Sequence, residues 1–293
     1  MLASLIRHVL PLVLLTSSLA FAAESPKVGS ADQGEPSSHS NIVKLENLVY
    51  GQVQGAGLLA DVAYPKSTEL IPAIISVHGG RWFRGDKRDA SAIKVEQWAE
   101  FGFFAIAIDY RLLGCTPAPA CYQDVQCAIR FVHANAEKYH IDPHRIFLIG
   151  QSAGGHMASL AATLGDGPFP RTGGWEKASN KVRAVISVSG NYDLSSGGWG
   201  DLWKPVGDDL AGARVLASPV NHVSQKMTPL MIIHSDDDKS VPIAVGLRMG
   251  EALKRVGAPH VFHHYSKAGH MSINDEVIKQ ARAFIEAQSK VSD

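Results

Sequence analysis

Five short apolar runs, at 73–77, 103–108, 145–149, 184–188 and 230–233, constrain this chain more than any other feature. Each is four to six residues long and apolar at successive positions, as in Ala73-Ile74-Ile75-Ser76-Val77 and Ala184-Val185-Ile186-Ser187-Val188. A strand with one wet face alternates apolar and polar residues. A strand buried on both faces does not, and such strands belong to a parallel sheet sandwiched between helices. The helices show between the runs, where Val125, Ile129, Val132 and Ala136, and later Val277, Ala281, Phe284 and Ile285, recur at the spacing of one buried helical stripe. Before them, Ile42 to Tyr50 and Leu58 to Tyr64 read as a hairpin across Gly51–Gly57, and His260 to Tyr265 reads as a last strand. With no internal repeat or second composition regime, residues 41–293 are expected to form one α/β domain, a mostly parallel central sheet with helices on both faces. The longer connections 164–182 and 194–225 carry Phe169, Trp175, Trp199 and Trp203 and are expected to cover the mouth of a site.

The segment that carries chemistry is Gly150-Gln151-Ser152-Ala153-Gly154, directly after the run 145–149 and before the Ala-rich stretch 156–164. A strand, a sharp turn and a helix in that order can present a serine hydroxyl at the carboxyl edge of a sheet, and small neighbours let the backbone double back. A phosphate-binding loop is the competing reading, but neither G-x-G-x-x-G nor a P-loop pattern is present. Serine is a weak nucleophile until a base takes its proton and a third group orients that base. Partners in the order Ser, acid, His are available. Asp236, Asp237 and Asp238 follow the run 230–233, Asp193 follows an earlier one, and His270 sits in the small-residue loop Lys267-Ala268-Gly269-His270 ahead of the last helix. Of the 13 histidines, His156 lies four residues after Ser152 on the same expected helix, a place for packing behind the turn rather than for proton transfer. No H-E-x-x-H or other compact ligand spacing occurs, so no metal and no cofactor are expected.

These segments together resemble the esterases of the α/β-hydrolase fold over roughly residues 70–285. In that family a segment His-Gly-x-x-Asp-x-x-Val-Pro places the acid four residues after the His, and the match from His234 to Pro242 selects Asp238, with Ser235 standing where the family usually has Gly. The loop His78-Gly79-Gly80-Arg81-Trp82 is similar to the family's anion loop. The resemblance implies an oxyanion hole of backbone N–H groups from Gly80 and Arg81, completed by Ala153 after the nucleophile. Arg81 where many esterases have a third Gly, and the continuation to Gly85-Asp86-Lys87, bring the chain nearer the feruloyl and acetyl xylan esterases and the arylformamidases. Asp109-Tyr110-Arg111-Leu112 is similar to a segment that shapes the floor of the family's site or serves as a structural ion pair. The resemblance thus implies a catalytic set of Ser152, Asp238 and His270 acting on short-chain or aryl esters, including acyl groups on polysaccharide. Arylformamidase, lipase and a non-catalytic binding protein on the same scaffold are the alternatives.

Charge and the N-terminus narrow the setting. Arg7 and His8 precede the apolar run Val9 to Leu15, and Ala20-Phe21-Ala22 has the small-x-small pattern of a signal-peptidase site, so 1–22 is expected to be a cleaved signal and 23–40 a flexible leader. The run is short for a membrane span and contains Pro11, so no stable membrane insertion is expected after cleavage. Twenty-eight basic residues balance 28 acidic ones, which gives no electrostatic ground for a nucleic-acid partner. Export would permit one disulfide among three cysteines, and Cys115 and Cys121, flanking Thr116-Pro117-Ala118-Pro119-Ala120, are the favoured pair.

Overall fold

The computed structural model describes residues 41–195 and 198–290, with the backbone alone at 199 and 200. The expected signal 1–22 and leader 23–40 therefore lie outside the described residues. An eight-stranded sheet runs through the domain. Its first two strands, β1 (Ile42–Val53) and β2 (Ala56–Pro65), pair antiparallel through Val53 and Ala56. The pairing runs further than the sequence implied and leaves only Gln54 and Gly55 as the turn, at φ of 50° and 83°. Two successive positive φ values suit the right-handed twist of the flanking strands, which is why the connection tightens to two residues.

The strands β3 (Ile71–Val77), β4 (Phe104–Ile108), β5 (Ile141–Gln151), β6 (Ala184–Val188), β7 (Leu230–Ser235) and β8 (His260–Tyr265) follow, and the spatial order is β1-β2-β4-β3-β5-β6-β7-β8. All pairs from β4 to β8 are parallel, while β2 joins β4 antiparallel. The apolar runs divide by alternation between two cores. Ala73, Ile75 and Val77 of β3 and Leu148 of β5 point into the core formed with helices α2 (Ala120–Ala134), α3 (Ala153–Thr163) and α5 (Ile243–Val256). Ile74, Phe147 and Ile149 point into the opposite core, with α1 (Val95–Glu100) and α6 (Asp275–Ser289), so helices cover both faces as the doubly apolar strands require. A further helix, α4 (Leu210–Leu216), lies in the connection between β6 and β7. No described helix is long and apolar enough to cross a membrane.

Two expectations need correction. Segment 164–182 packs along α2 and does not line the space in front of Ser152. Phe169 packs edge-on against Tyr122 and Trp175 against Phe131, both on α2, with ring centroids 5.7 Å apart in each case, and the Trp175 indole donates to Tyr50 O. The aromatic face that α2 turns outward holds this segment to the flank. Nor is the Cys115–Cys121 bridge formed: all three cysteines are free, Cys115 exposed and Cys121 and Cys127 buried. Cys121 sits in the first turn of α2 with its thiol turned into the core, where burial raises its pKa well above the ordinary thiol range, while burial pushes Cys127 up to about 11.

Candidate active site

The loops that matter leave the carboxyl ends of β3, β5, β7 and β8. Because β3 and β5 are parallel neighbours, with Val77 opposite Gly150, the His78 loop and the Ser152 turn emerge side by side. Ser152 occupies φ 54°, ψ −116°, a region a residue with a Cβ enters only at a cost of about 1–3 kcal/mol. The surroundings enforce it. Ser152 N–H donates to Val188 O at 2.8 Å, and its own carbonyl accepts the first helical bond from His156 N at 2.9 Å. Small residues are obligatory here, since a Cβ at Gly154 would lie 2.0 Å from Val77 O and one at Gly150 would lie 2.3 Å from Gly154 O. Ser152 thus caps α3, and the N–H of Ala153 belongs to the first helical turn, where no intrahelical acceptor exists.

The three consecutive aspartates after β7 take three different partners. Asp238 accepts from His270 Nδ1 at 2.8 Å through Oδ2, and through Oδ1 from the backbone N–H groups of Ser240 and Val241, both at 2.8 Å. Burial by itself would raise the Asp238 carboxyl, but hydrogen bonds from His234, His270 and Val241 outweigh it and hold the group well below the usual carboxylate range. Asp237 instead accepts from the N–H groups of Ala268 and Gly269, at 3.1 and 2.7 Å, which fixes the loop ahead of His270. Asp236 bonds His264 Nε2 at 2.5 Å. Asp193 is paired with Arg248 and accepts from Ser195 N at 2.9 Å.

The unusual Ser235 has a definite place: its hydroxyl donates to Asp237 at 2.7 Å and accepts from Ala268 N at 2.8 Å. The far side of the His270 loop is tied to the Ser152 turn. Gln151 Nε2, one residue before Ser152, donates to Met271 O at 2.9 Å, and Met271 N donates to Ser189 Oγ at 3.1 Å. Sequence reasoning passed over Gln151, whose only signal was its position inside the motif. Among the described contacts no hydrogen bond joins His270 Nε2 to Ser152 Oγ. Such bonds are often long in free enzymes and tighten when substrate binds.

The loop after β3 is strained as well. Gly80, Arg81 and Trp82 have φ of 102°, 58° and 62°, and a Cβ at Gly80 would lie 1.9 Å from Arg84 O. Its shape is set from below: Tyr110 OH donates to His78 O and Gly79 O at 3.1 and 3.0 Å, its ring stacks on His78 at 4.2 Å, and Gly79 N donates to Ser91 Oγ at 2.9 Å. The rest of the Asp109–Leu112 segment is structural, with Asp109 on Lys87 at 2.7 Å and Arg111 on the buried Asp124 at 2.7 Å. Arg81, Trp82, Ser152 and Ala153 surround one small cavity, closed by Asn191 after β6 and Val241 beside Asp238. Gly80 is next to the lining residue Arg81, and its carbonyl accepts from the N–H groups of Phe83 and Arg84. Asn191 is the lining residue that no motif flagged. Of the aromatic residues singled out in the sequence, Trp82 lines the cavity and Trp203 is packed behind it, 6.0 Å away centre to centre. The Trp199 side chain lies outside the described residues. Among the described residues no group of three or more His, Cys, Asp or Glu side chains could hold a metal ion.

The model of the BD-FAE family matches residues 60–253, about two thirds of the chain. The chain belongs to that family. Its resemblance to α/β-hydrolase esterases is borne out by relatives such as the probable carboxylic ester hydrolase LipM of Mycobacterium tuberculosis, 30% identical over 209 residues, and esterase LipQ of the same organism, 29% identical over 286. Those alignments cover 67% and 89% of this chain but 48% and 68% of the relatives, so the chain spans between about half and two thirds of their length. Among solved structures, a truncated carbohydrate esterase from gut microbiota is 25% identical with a TM-score of 0.72, covering 87% of this chain and 99% of that one. A butyrate-bound esterase from Thermogutta terrifontis is also 25% identical, with a TM-score of 0.70 and coverage of 82% and 92%.

Proposed function

We propose that this protein is a serine carboxylic ester hydrolase that works through an acyl-enzyme. One observation carries the reading: Asp238 fixes Nδ1 of His270 in a loop that Gln151 ties to the turn presenting Ser152. In this reading Ser152 Oγ attacks the ester carbonyl carbon as His270 Nε2 takes the hydroxyl proton, and the negative charge moves to the carbonyl oxygen. Backbone N–H groups of Arg81 and Ala153, with Gly80 from the same loop, receive that oxyanion. When the tetrahedral intermediate collapses, the C–O bond to the alcohol breaks and His270 gives its proton to the leaving oxygen. Water then repeats the sequence on the acyl-serine and frees the acid. Asp238 stays ionised throughout and balances the imidazolium, which suits a carboxyl held far below neutral pH by its hydrogen bonds.

The substrate we assign is a short-chain or aryl ester, including acetyl or feruloyl groups on polysaccharide. The likeness to a carbohydrate esterase supports it, and so does the N-terminal basic-apolar-small pattern, which favours export to where such esters are. A panel of acetyl, feruloyl, formamide and long-chain substrates, compared as kcat/KM, tests the assignment. Short or aryl esters should lead by at least about tenfold over acyl chains of ten carbons. A preference for the long chains or for the formamide would replace it with a lipase or an arylformamidase.

A further inference from the structure

We infer that Trp82 limits the size of the acyl group, and that His156 on α3 is the positioning residue that holds it there. The inference rests on the serine esterase reading and concerns what that site accepts. Its starting point is the cavity in front of Ser152. Walled by Trp82, Asn191 and Val241, it has a free volume of about 10 Å³, close to what one water molecule needs. A sugar or other bulky alcohol cannot be enclosed there, so the leaving group lies toward solvent, the carbonyl oxygen takes the Arg81 and Ala153 side, and the acyl substituent takes the side walled by Trp82, Asn191 and Val241. A methyl group fits the space. Each further methylene must press on a wall or turn toward the opening.

Trp82 is the wall with the most to move, and it is held by three partners, Leu113, His156 and Trp203. Its backbone is in the left-handed region at φ 62°, and its carbonyl accepts from Leu113 N at 2.8 Å. Its indole N–H donates to His156 Nδ1 at 3.2 Å, and its ring meets His156 and Trp203 edge-on at 5.1 and 6.0 Å. His156 is fully buried, and its Nε2 lies 2.7 Å from Ala217 O. One tautomer satisfies both bonds: the proton on Nε2 goes to Ala217 O, and the lone pair on Nδ1 accepts the indole. Burial lowers the His156 pKa to about 4, so that neutral tautomer persists across the working range of an esterase. A bulky side chain at positive φ survives only where its surroundings over-determine it. Here they do, through a rigid chain from the helix behind the nucleophile to the face of the acyl cavity.

The test is an acyl ladder, kcat/KM for the p-nitrophenyl esters of acetate, butyrate and hexanoate, on the full chain and on Trp82→Ala, Trp82→Leu and His156→Phe, with circular dichroism as the check on folding. In the unaltered protein activity should fall at each step of the ladder. Trp82→Ala should raise the hexanoate-to-acetate ratio by about tenfold or more, the range that a few methylenes command in an apolar pocket. Trp82→Leu makes the same point with a smaller change if the Ala variant does not fold. His156→Phe keeps the ring but removes both hydrogen bonds, and it should shift the ratio in the same direction. A uniform loss across the ladder in His156→Phe would reduce His156 to a packing role and overturn that half of the inference. An unchanged ratio in a folded Trp82 variant that still turns over acetate would overturn the other half. That result is distinguishable from failure of the esterase reading, in which Ser152→Ala would keep its turnover.

Discussion

Replacing Ser152 by Ala should lower kcat on p-nitrophenyl acetate by about 10⁶-fold, the loss seen when the nucleophile of a serine hydrolase is removed. The residue would still be small enough for the turn, and the bonds from Ser152 N to Val188 O and from His156 N to Ser152 O are backbone bonds that Ala keeps. Only the hydroxyl goes. The anion loop and the binding surface should then leave a residual acceleration of about 10³–10⁴ over water. Since the Ala side chain also prefers to avoid φ near 54°, its thermal midpoint should stay within a few degrees of the parent's, because the strain is common to both residues. The readouts are initial rates over a wide enzyme concentration range and a thermal melt. Retention of full turnover in a folded Ser152→Ala protein would remove Ser152 from the mechanism.

The second large effect belongs to the acid. Asp238→Asn should cost about 10⁴-fold in kcat, by the same logic that makes the corresponding change severe in other triads. The amide oxygen can still accept from Ser240 and Val241, so its NH₂ faces His270 Nδ1. Nδ1 would then have to accept, which moves the ring proton to Nε2 and leaves no lone pair there for the Ser152 proton. The neighbours offer internal controls. Asp236→Asn disturbs only the contact with His264, and Asp237→Asn weakens the backbone clamp on Ala268 and Gly269 without touching the imidazole. Each should lose no more than about tenfold in kcat. A loss at Asp236 or Asp237 that equals the loss at Asp238 would mean that the acid has been placed on the wrong carboxylate.

The pattern of these effects follows what the sequence could and could not convey. Buried strands and helical stripes are short-range signals, and the eight strands and both helical layers were legible from them. The serine turn was legible because its strand, turn and helix are contiguous in sequence, with Gly150 demanded by the nearby Gly154 O, although the atom that demands Gly154, Val77 O, comes from another strand. Asp238 was reached by resemblance and not by physics, since three adjacent aspartates look alike until β8 and the His270 loop are folded against them. Ser235 illustrates the rest. As a departure from the usual Gly it read as a blemish, yet its hydroxyl joins Asp237 to Ala268, a contact that spans 33 residues and leaves no periodic trace. Segment 164–182 was misjudged for a related reason: aromatic content marks a surface that will pack, but not which surface, and here Tyr122 and Phe131 on α2 claimed it. The cysteine pair failed because spacing across a Pro-rich loop says nothing about direction, and Cys121 turns inward while Cys115 faces solvent.

The most direct test of the central claim is covalent. A fluorophosphonate carries an electrophilic phosphorus that an activated serine attacks, with loss of fluoride, and the adduct persists because it mimics the tetrahedral intermediate. After incubation with the folded protein and peptide mapping by mass spectrometry, a single adduct on Ser152 should appear, rising in step with the loss of esterase activity and absent from the Asp238→Asn and His270→Ala proteins over the same interval. Activity lost with the label on another residue, or an unlabelled Ser152 in a folded and active protein, would contradict the assignment of Ser152 as the nucleophile.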